Sequence, residues 1–352
     1  MRILIVDELF YPLGGIQVRF KDLSEQWAKA GHTVIMTAID HVGNLPEQEV
    51  INGVTYNRVM KDPNYYKSGR FGRKTGTILQ YTYKLKSFFK QDWDLVIFGQ
   101  FPMLPQVIYH YLYKKHDKTV LDFVEYRDSK LWKFINNIII NAADNVVCIS
   151  EHVKECAMMY RKDNLYVIPS FVDTNKSKPE SKTNYIFLGR MEEHKHPEVA
   201  IEVVISYNQT YNQNMQLMLV GGGNMLEGLK KKYGHISFIN FLGAVDEEKK
   251  LEVLANGRML IFPSEREGLP IVVIEAMSYG IPTVTTDFPG NGTQFFVKQE
   301  DIGLVALPNI KDLVAKVHEL EENYDYYTTR CLEVKGNYDI SLLSAKYLEN
   351  LN

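Results

Sequence analysis

The sequence predicts an α/β fold, two doubly wound Rossmann-like units in tandem facing a central cleft. Three observations predict it. Strand-like and helix-like segments alternate from end to end, as βαβ units and a mostly parallel sheet require. A polar stretch at 173–184 has almost no apolar residue and reads as a linker. The 352 residues suit about two domains.

The elements follow in order. Arg2–Val6 is a strand, and after the loop Tyr11–Gly15 a helix runs over Ile16–Ala30, with Phe20, Leu23 and Trp27 at helical spacing. Gly31 ends it, and strands follow at His32–Ala38, Val54–Val59, Leu95–Phe98, Thr119–Val124, Asn145–Ile149 and Tyr166–Ile168. Beyond the linker come strand Tyr185–Leu188, helix Pro197–Tyr207, strand Gln216–Val220, helix Met225–Lys232, strand Ile236–Phe241 and helix Asp246–Asn256. Strand Met259–Phe262, helix Leu269–Ser278 and strand Ile281–Thr285 come next; Pro270 suits a first helical turn and Gly280 a helix end. Helices over Ile310–Asn323 and Leu342–Leu351 complete the chain.

Bulk properties exclude several classes. Hydrophobic residues make up 45% and charged residues 24%, an ordinary globular composition. A net charge of −3 excludes a whole-chain polyanion binder. Cys148, Cys156 and Cys331 have no metal-ligand spacing and suit a reducing compartment. The N-terminal strand is too short and too charged for a signal peptide. No run approaches the roughly 18 apolar residues of a spanning helix. The expectation is a cytoplasmic protein, peripheral on the inner face of a membrane where it meets one.

Six segments carry candidate chemistry. Gly14-Gly15, between first strand and first helix, lets backbone N–H groups approach an anion; a plain turn reads the same way. Arg190 and Lys195 are two cations at a strand's carboxyl end and suit a diphosphate, the alternative being a solvated turn. Gly221-Gly222-Gly223 passes close to a nucleotide or simply makes a tight turn, with Asn224 as cap of the next helix. Asp92-Trp93-Asp94 has the look of a metal-binding pair but precedes its strand, away from the ligand-binding edge, so no metal site is assigned. Arg58–Lys90 holds nine Lys or Arg against the single acid Asp62, with Tyr65, Tyr66, Phe71, Tyr81, Tyr83, Phe88 and Phe89 interleaved. That excess suits an anionic acceptor or an anionic membrane surface, or a solvated helix face; nothing supports nucleic acid.

Glu267 and Glu275 form the sixth. Glu267 lies on the loop before a helix N-terminus, and Glu275 on that helix, among Ile271, Val272, Ile274, Ala276 and Met277. A helix apolar nearly all round is buried, so the Glu275 carboxylate needs a partner. Two carboxylates on one loop and helix do not suit a glycosidase pair. A carboxylate accepts from a sugar diol, and Glu275 fits a ribose.

Glu267-Gly-Leu-Pro-x4-Glu275-Ala-Met-x2-Gly280-x-Pro282 resembles the E-x7-E signature of the retaining, GT-B-fold glycosyltransferases of family 4, the group 1 type. Gly189-Arg190-x4-Lys195, the tract Gln216–Asn224, the Gly14-Gly15 loop and Val167–Asp173 resemble that family's other motifs, in the same order. The resemblance implies a hexosyltransferase of polysaccharide biosynthesis. It divides the chain into an acceptor-side domain (1–172), a linker (173–184), a nucleotide-sugar-binding domain (185–335) and a C-terminal helix crossing back (336–352). It implies that Glu267 meets donor-sugar hydroxyls, that Glu275 holds the ribose, and that Arg190 and Lys195 neutralise the diphosphate. Gly14, Gly15, Gly222, Gly268, Leu269 and Pro270 would line the donor site. No cofactor or metal is obligatory, and the mechanism is drawn as front-face displacement. Partners would be a nucleotide sugar and a glycan, polyol-phosphate or lipid-linked acceptor.

The sequence departs from the family in two places. Where many members carry a histidine, this chain reads Leu121-Asp-Phe-Val-Glu125-Tyr-Arg127, so Glu125 or Arg127 takes that acceptor-side place. The usual Asn-Gly is Ser170-Phe171. Two alternatives stand beside the transferase: a nucleotide-sugar 2-epimerase of the same fold, and a non-catalytic GT-B partner subunit.

Overall fold

A computed structural model describes residues 1–9, 15–65, 74–177, 180 and 182–351. Gly14, and Tyr66, Arg70, Phe71 and Arg73 of the basic stretch, lie outside the described residues. The chain divides into two units: Met1–Pro169 with Ile340–Asn352, and Ser170–Asp339.

The first unit opens with β1 (Arg2–Leu9), α1 (Gly15–Lys29), β2 (Thr33–Asp40), β3 (Gln48–Ile51) and β4 (Val54–Lys61). There follow α2 (Thr75–Lys84), α3 (Lys86–Phe89), β5 (Leu95–Gly99), α4 (Met103–Leu112), β6 (Lys118–Phe123), α5 (Lys130–Asn141), β7 (Asn145–Cys148), α6 (Glu151–Ala157) and β8 (Leu165–Val167). The strands form one sheet in the order β3-β4-β2-β1-β5-β6-β7-β8. Every neighbour pair is parallel except β3 with β4. Helices on both faces bury the central strands, so Ile3–Val6 and Leu95–Phe98 read as continuous apolar runs. Side-chain caps start two helices: Ser129 accepts from the Trp132 N–H, and Ser150 from the Val153 N–H.

The second unit contains β9 (Asn184–Leu188), α7 (Pro197–Tyr211), β10 (Gln216–Val220), α8 (Leu226–Tyr233), β11 (Ile239–Gly243), α9 (Glu247–Ala255) and β12 (Gly257–Phe262). It continues with β13 (Arg266–Glu267), α10 (Ile271–Ser278), β14 (Thr283–Thr286), β15 (Gly290–Asn291), α11 (Thr293–Glu300), β16 (Gly303–Ala306), α12 (Ile310–Glu322) and α13 (Tyr324–Val334). A six-stranded sheet, all parallel, runs β11-β10-β9-β12-β14-β16. α7 and α12 pack on it over Phe187, Leu219 and Ile261. A separate two-residue ladder joins β13 to β15. The last helix, α14 (Ile340–Glu349), returns to the first unit, where the Trp27 indole N–H donates to the Ser344 carbonyl at 2.9 Å.

Several expectations need correction. Pro270 is not in the first helical turn; its extended ψ of 132° puts it outside α10, which begins at Ile271. Asn224 does not cap α8, because Met225 holds the N-cap position and no side chain caps it. The expected helix face Thr77–Lys90 breaks into α2 and α3. Tyr65, Tyr81 and Phe89 of the basic stretch are core residues rather than surface aromatics. Arg58 is buried against Glu49 and the Pro46 carbonyl, so it adds nothing to a basic surface. Asn184 belongs to β9, and Thr174–Lys176 forms a short 3₁₀ helix inside the stretch read as linker.

Candidate active site

The site builds up from the carboxyl edge of the second unit's sheet, where open parallel sheets bind ligands. After β9 the chain turns through Gly189–Lys195. The glycine turn after β10 lies directly against it: the Met191 N–H donates to the Gly222 carbonyl at 2.8 Å. Gly221 and Gly223 have φ of +137° and +149°, and a Cβ there would sit 1.8 Å from the Gly189 oxygen and 2.5 Å from the Met191 oxygen. Those two glycines are therefore required by backbone packing. Gly222 is under no such constraint, its nearest neighbour being the Ala244 methyl at 3.7 Å.

That turn carries Lys195 to Glu267. The Lys195 ammonium donates to Glu267 Oε1, and Ser264 Oγ donates to the same oxygen at 2.7 Å. Both charged side chains are largely covered, at 13% and 10% exposure, so the pair is screened less than a surface pair. Lys195 also lies 5.5 Å from the centroid of the Phe262 ring, at the end of β12. Two loops are thereby locked together, with the Glu265 N–H donating to the His194 carbonyl at 2.8 Å. Arg190 is more exposed and donates to Glu192 at 2.7 Å.

Glu267 is fixed from its other side by the loop before α11. β13 pairs with β15, and the Gly292 N–H donates to the Glu267 carbonyl at 2.8 Å. A Cβ on Gly292 would meet the Gly268 oxygen at 2.2 Å. Asn291, fully buried, donates to Thr285 Oγ1 at 3.0 Å and to the Thr286 carbonyl at 2.8 Å. Leu269 is buried, and its carbonyl accepts from Ser170 Oγ at 2.9 Å.

Glu275 has the partner its surroundings demand. Lys250 of α9 donates to Glu275 Oε1 at 2.6 Å, and Glu247 lies 2.9 Å from the same ammonium. Burial pushes the Lys250 ammonium towards losing its proton, but Glu275 and Glu247 outweigh it and hold its pKa above the ordinary lysine value. Sequence reasoning missed Lys250, Ser264 and Asn291. Ser264, three residues before Glu267, had a local signal; Lys250, 25 residues from Glu275, had none.

The first-unit candidates sit on other supports. Gly15 opens α1, next to Gln17, which donates to Asp7 at 3.2 Å. Arg127 donates to both Glu125 oxygens at 3.2 Å, and its guanidinium lies 4.7 Å from the Trp132 ring and 5.4 Å from Phe101. Asp92 pairs with Lys115 at 2.6 Å, and Asp94 accepts from the Arg2 N–H at 2.6 Å. No group of three potential metal ligands occurs among the described residues.

Residues 170–330 match the family described as glycosyl transferases group 1, and residues 13–176 match glycosyltransferase family 4. The chain belongs to the group 1 glycosyltransferases of the GT-B fold. Among related group 1 enzymes, a phosphatidylinositol N-acetylglucosaminyltransferase subunit from Arabidopsis thaliana is 23% identical, over 91% of this chain and 74% of its own. A sucrose-phosphate synthase from Thermosynechococcus elongatus superposes with a TM-score of 0.78 at 18% identity, covering 99% of this chain and 98% of its own. Anabaena HepE, solved with UDP and glucose, superposes with a TM-score of 0.77 at 14% identity, covering 100% and 99%. Group 1 GT-B enzymes use nucleotide-sugar donors.

Proposed function

We propose that the chain is a retaining hexosyltransferase moving a sugar from a nucleoside diphosphate to a surface-glycan, polyol-phosphate or lipid-linked acceptor. The observation that carries this reading is the pairing of Lys195 with Glu267 at one sheet edge, with Glu275 on the adjoining helix. Lys195 and Arg190 take the diphosphate. Their charge stabilises the negative charge that develops on the leaving group. Glu267 accepts from the donor-sugar hydroxyls, and Glu275, steadied by Lys250, accepts from the ribose diol. Gly222, Gly268, Leu269 and Pro270 bring backbone close to the donor, and Gly14 and Gly15 do so from the first unit. Glu125 and Arg127 act on the acceptor side. In the reaction the bond from the sugar's anomeric carbon to the phosphate breaks and a bond to the acceptor oxygen forms on the same face. The acceptor proton goes to the departing phosphate. A lipid-linked acceptor is supported by the likeness to the phosphatidylinositol N-acetylglucosaminyltransferase relative and implies work at the inner face of a membrane.

The test is transfer by the purified protein with a panel of nucleotide sugars, and anomeric configuration by NMR. Retention is expected, and Glu267→Ala or Arg190→Ala should each lower turnover by about 10²–10³. Inversion would overturn the mechanism, and unchanged turnover would overturn the site. Release of free nucleotide and an epimerised sugar without any acceptor would replace transfer by 2-epimerisation.

A further inference from the structure

The helices α2, α3, α4 and α5 pack in sequence along one face of the first unit's sheet, and Gln106 of α4 donates to the Ile139 carbonyl of α5 at 2.7 Å. These helices of 10, 4, 10 and 12 residues contain no Asp or Glu. They carry Lys84, Lys86, Lys130 and Lys133. α1 elsewhere in the unit carries Asp22 and Glu25, and α12 of the second unit carries four acids, so an acid-free layer is specific to this face.

The outward sides of these helices are apolar. In α4 the core side is Pro105, Gln106 and Tyr109, yet Leu104, Val107, Ile108 and Tyr111 recur at i, i+3, i+4 and i+7 on its other side. In α5 the core side is Asn136, Ile139 and Ile140, while Leu131, Phe134 and Ile138 point away from it. Leu79 is 56% exposed, Tyr83 72%, Tyr111 71%, Leu112 67%, Leu131 66% and Phe134 64%. An apolar patch of this extent on adjacent helices marks an interaction surface.

We propose that the α2–α4–α5 face is the surface by which this protein docks on an anionic lipid bilayer. Leu131, Phe134, Leu112 and Leu79 would enter the acyl boundary, Tyr83 and Tyr111 would lie at headgroup level, and the four lysines would meet the anionic headgroups. Charge decides between occupants. A protein partner's interface core is poor in lysine, whereas lysines flanking apolar and aromatic residues, with carboxylates absent from the helices, complement a negative bilayer. Asp128, at the rim before α5, is neutralised by Lys133 at 2.8 Å. The inference deepens the proposed function, for it puts the chain where a lipid-linked acceptor resides.

The experiment is flotation of the full chain with phosphatidylcholine vesicles, with and without phosphatidylglycerol. Binding is expected only with the anionic lipid and should fall as salt rises. Lys130→Gln with Lys133→Gln should weaken it about 25-fold at low salt. Leu131→Glu with Phe134→Glu should weaken it about tenfold or more. Leu342→Glu, on exposed α14, should leave it unchanged. Donor hydrolysis, measured in the same preparations, should stay at the wild-type rate, which separates this inference from the activity. Equal binding to both vesicle types, or equal loss in the Leu342 variant, would overturn it. So would an absence of vesicle binding with dimers in light scattering that Leu131→Glu with Phe134→Glu dissociates; that result would make the face a contact between two copies.

Discussion

Arg19–Asp122 in the first unit and Lys195–Glu267 in the second are both cation–carboxylate pairs at the carboxyl end of a parallel sheet. Their surroundings differ. Arg19 is saturated by protein: its Nε lies 3.2 Å from both Asp122 oxygens, and its other nitrogens donate to the Pro169 carbonyl at 2.7 Å and the Ile168 carbonyl at 2.9 Å. Tyr347 of α14 donates to Asp122 at 3.2 Å. Burial drives the Asp122 pKa above the ordinary carboxylate value, and Arg19 only partly opposes this. Lys195–Glu267 instead stands on two turns, beside the exposed Arg190. A buried pair whose hydrogen bonds close on backbone carbonyls is architecture that ties α1, β6 and α14 together. A pair held on loops at the ligand-binding edge can exchange partners.

The largest expected effect tests that contrast. Asp122→Ala leaves a buried guanidinium without its carboxylate and should cost about 3–5 kcal/mol of stability. Arg19→Met with Asp122→Leu, which removes both charges, should recover most of that loss. Glu267→Ala should cost only about 1 kcal/mol, an ordinary value for a point change, while abolishing most transfer. Denaturant midpoints of the three variants check this. Equal losses in Asp122→Ala and Glu267→Ala would erase the distinction.

The same contrast decides how much was legible in the sequence. Arg190, Lys195, Glu267 and Glu275 stand in short motifs whose spacing places them at strand ends, and the alternation of strands and helices gave the two units. Contacts across the sheet had no local signal: Lys250 and Glu275 are 25 residues apart, Lys195 and Glu267 72. α11, β16 and α13 were missed for a different reason. α13 buries only Cys331 and Val334, so its sequence has no apolar stripe to read. Charge and aromatic content also misled. Tyr81 and Tyr83 are two residues apart on α2, hence nearly opposite in direction, and one is core while the other is exposed. The acid-free face lay mainly in α4 and α5, beyond the stretch whose composition drew attention.

A smaller effect sharpens the second unit's side of the comparison. Lys250 acts through Glu275 and is a positioning residue. Lys250→Met, which keeps the aliphatic stem but not the charge, should raise the donor KM about tenfold, the loss of one charge-assisted contact, and leave kcat nearly unchanged. It should also reduce discrimination against a 2′-deoxy donor. A fall in kcat at constant KM would remove Glu275 from the ribose.

The smallest effect concerns pH and returns to the first unit. Burial works against the charge on Asp144, but the Lys114 ammonium and the Thr119 N–H and hydroxyl, both at 2.9 Å, hold its pKa below the ordinary value. Its stabilisation is therefore full above the ordinary carboxylate pKa and is lost as pH falls through the lowered value. Asp122 has the opposite sign. Its pKa is raised, so stability falls as pH rises from the ordinary carboxylate value to the raised one. Asp144→Asn should be less stable than wild type at neutral pH, with the gap closing on acidification. For Asp122→Asn the gap should instead widen on acidification, because only the wild type regains stability on protonation. Denaturant midpoints from neutral pH down through the carboxylate range measure both slopes. Two slopes of the same sign would mean that Asp122, like Asp144, is held ionised by its neighbours, and that its burial does not govern it.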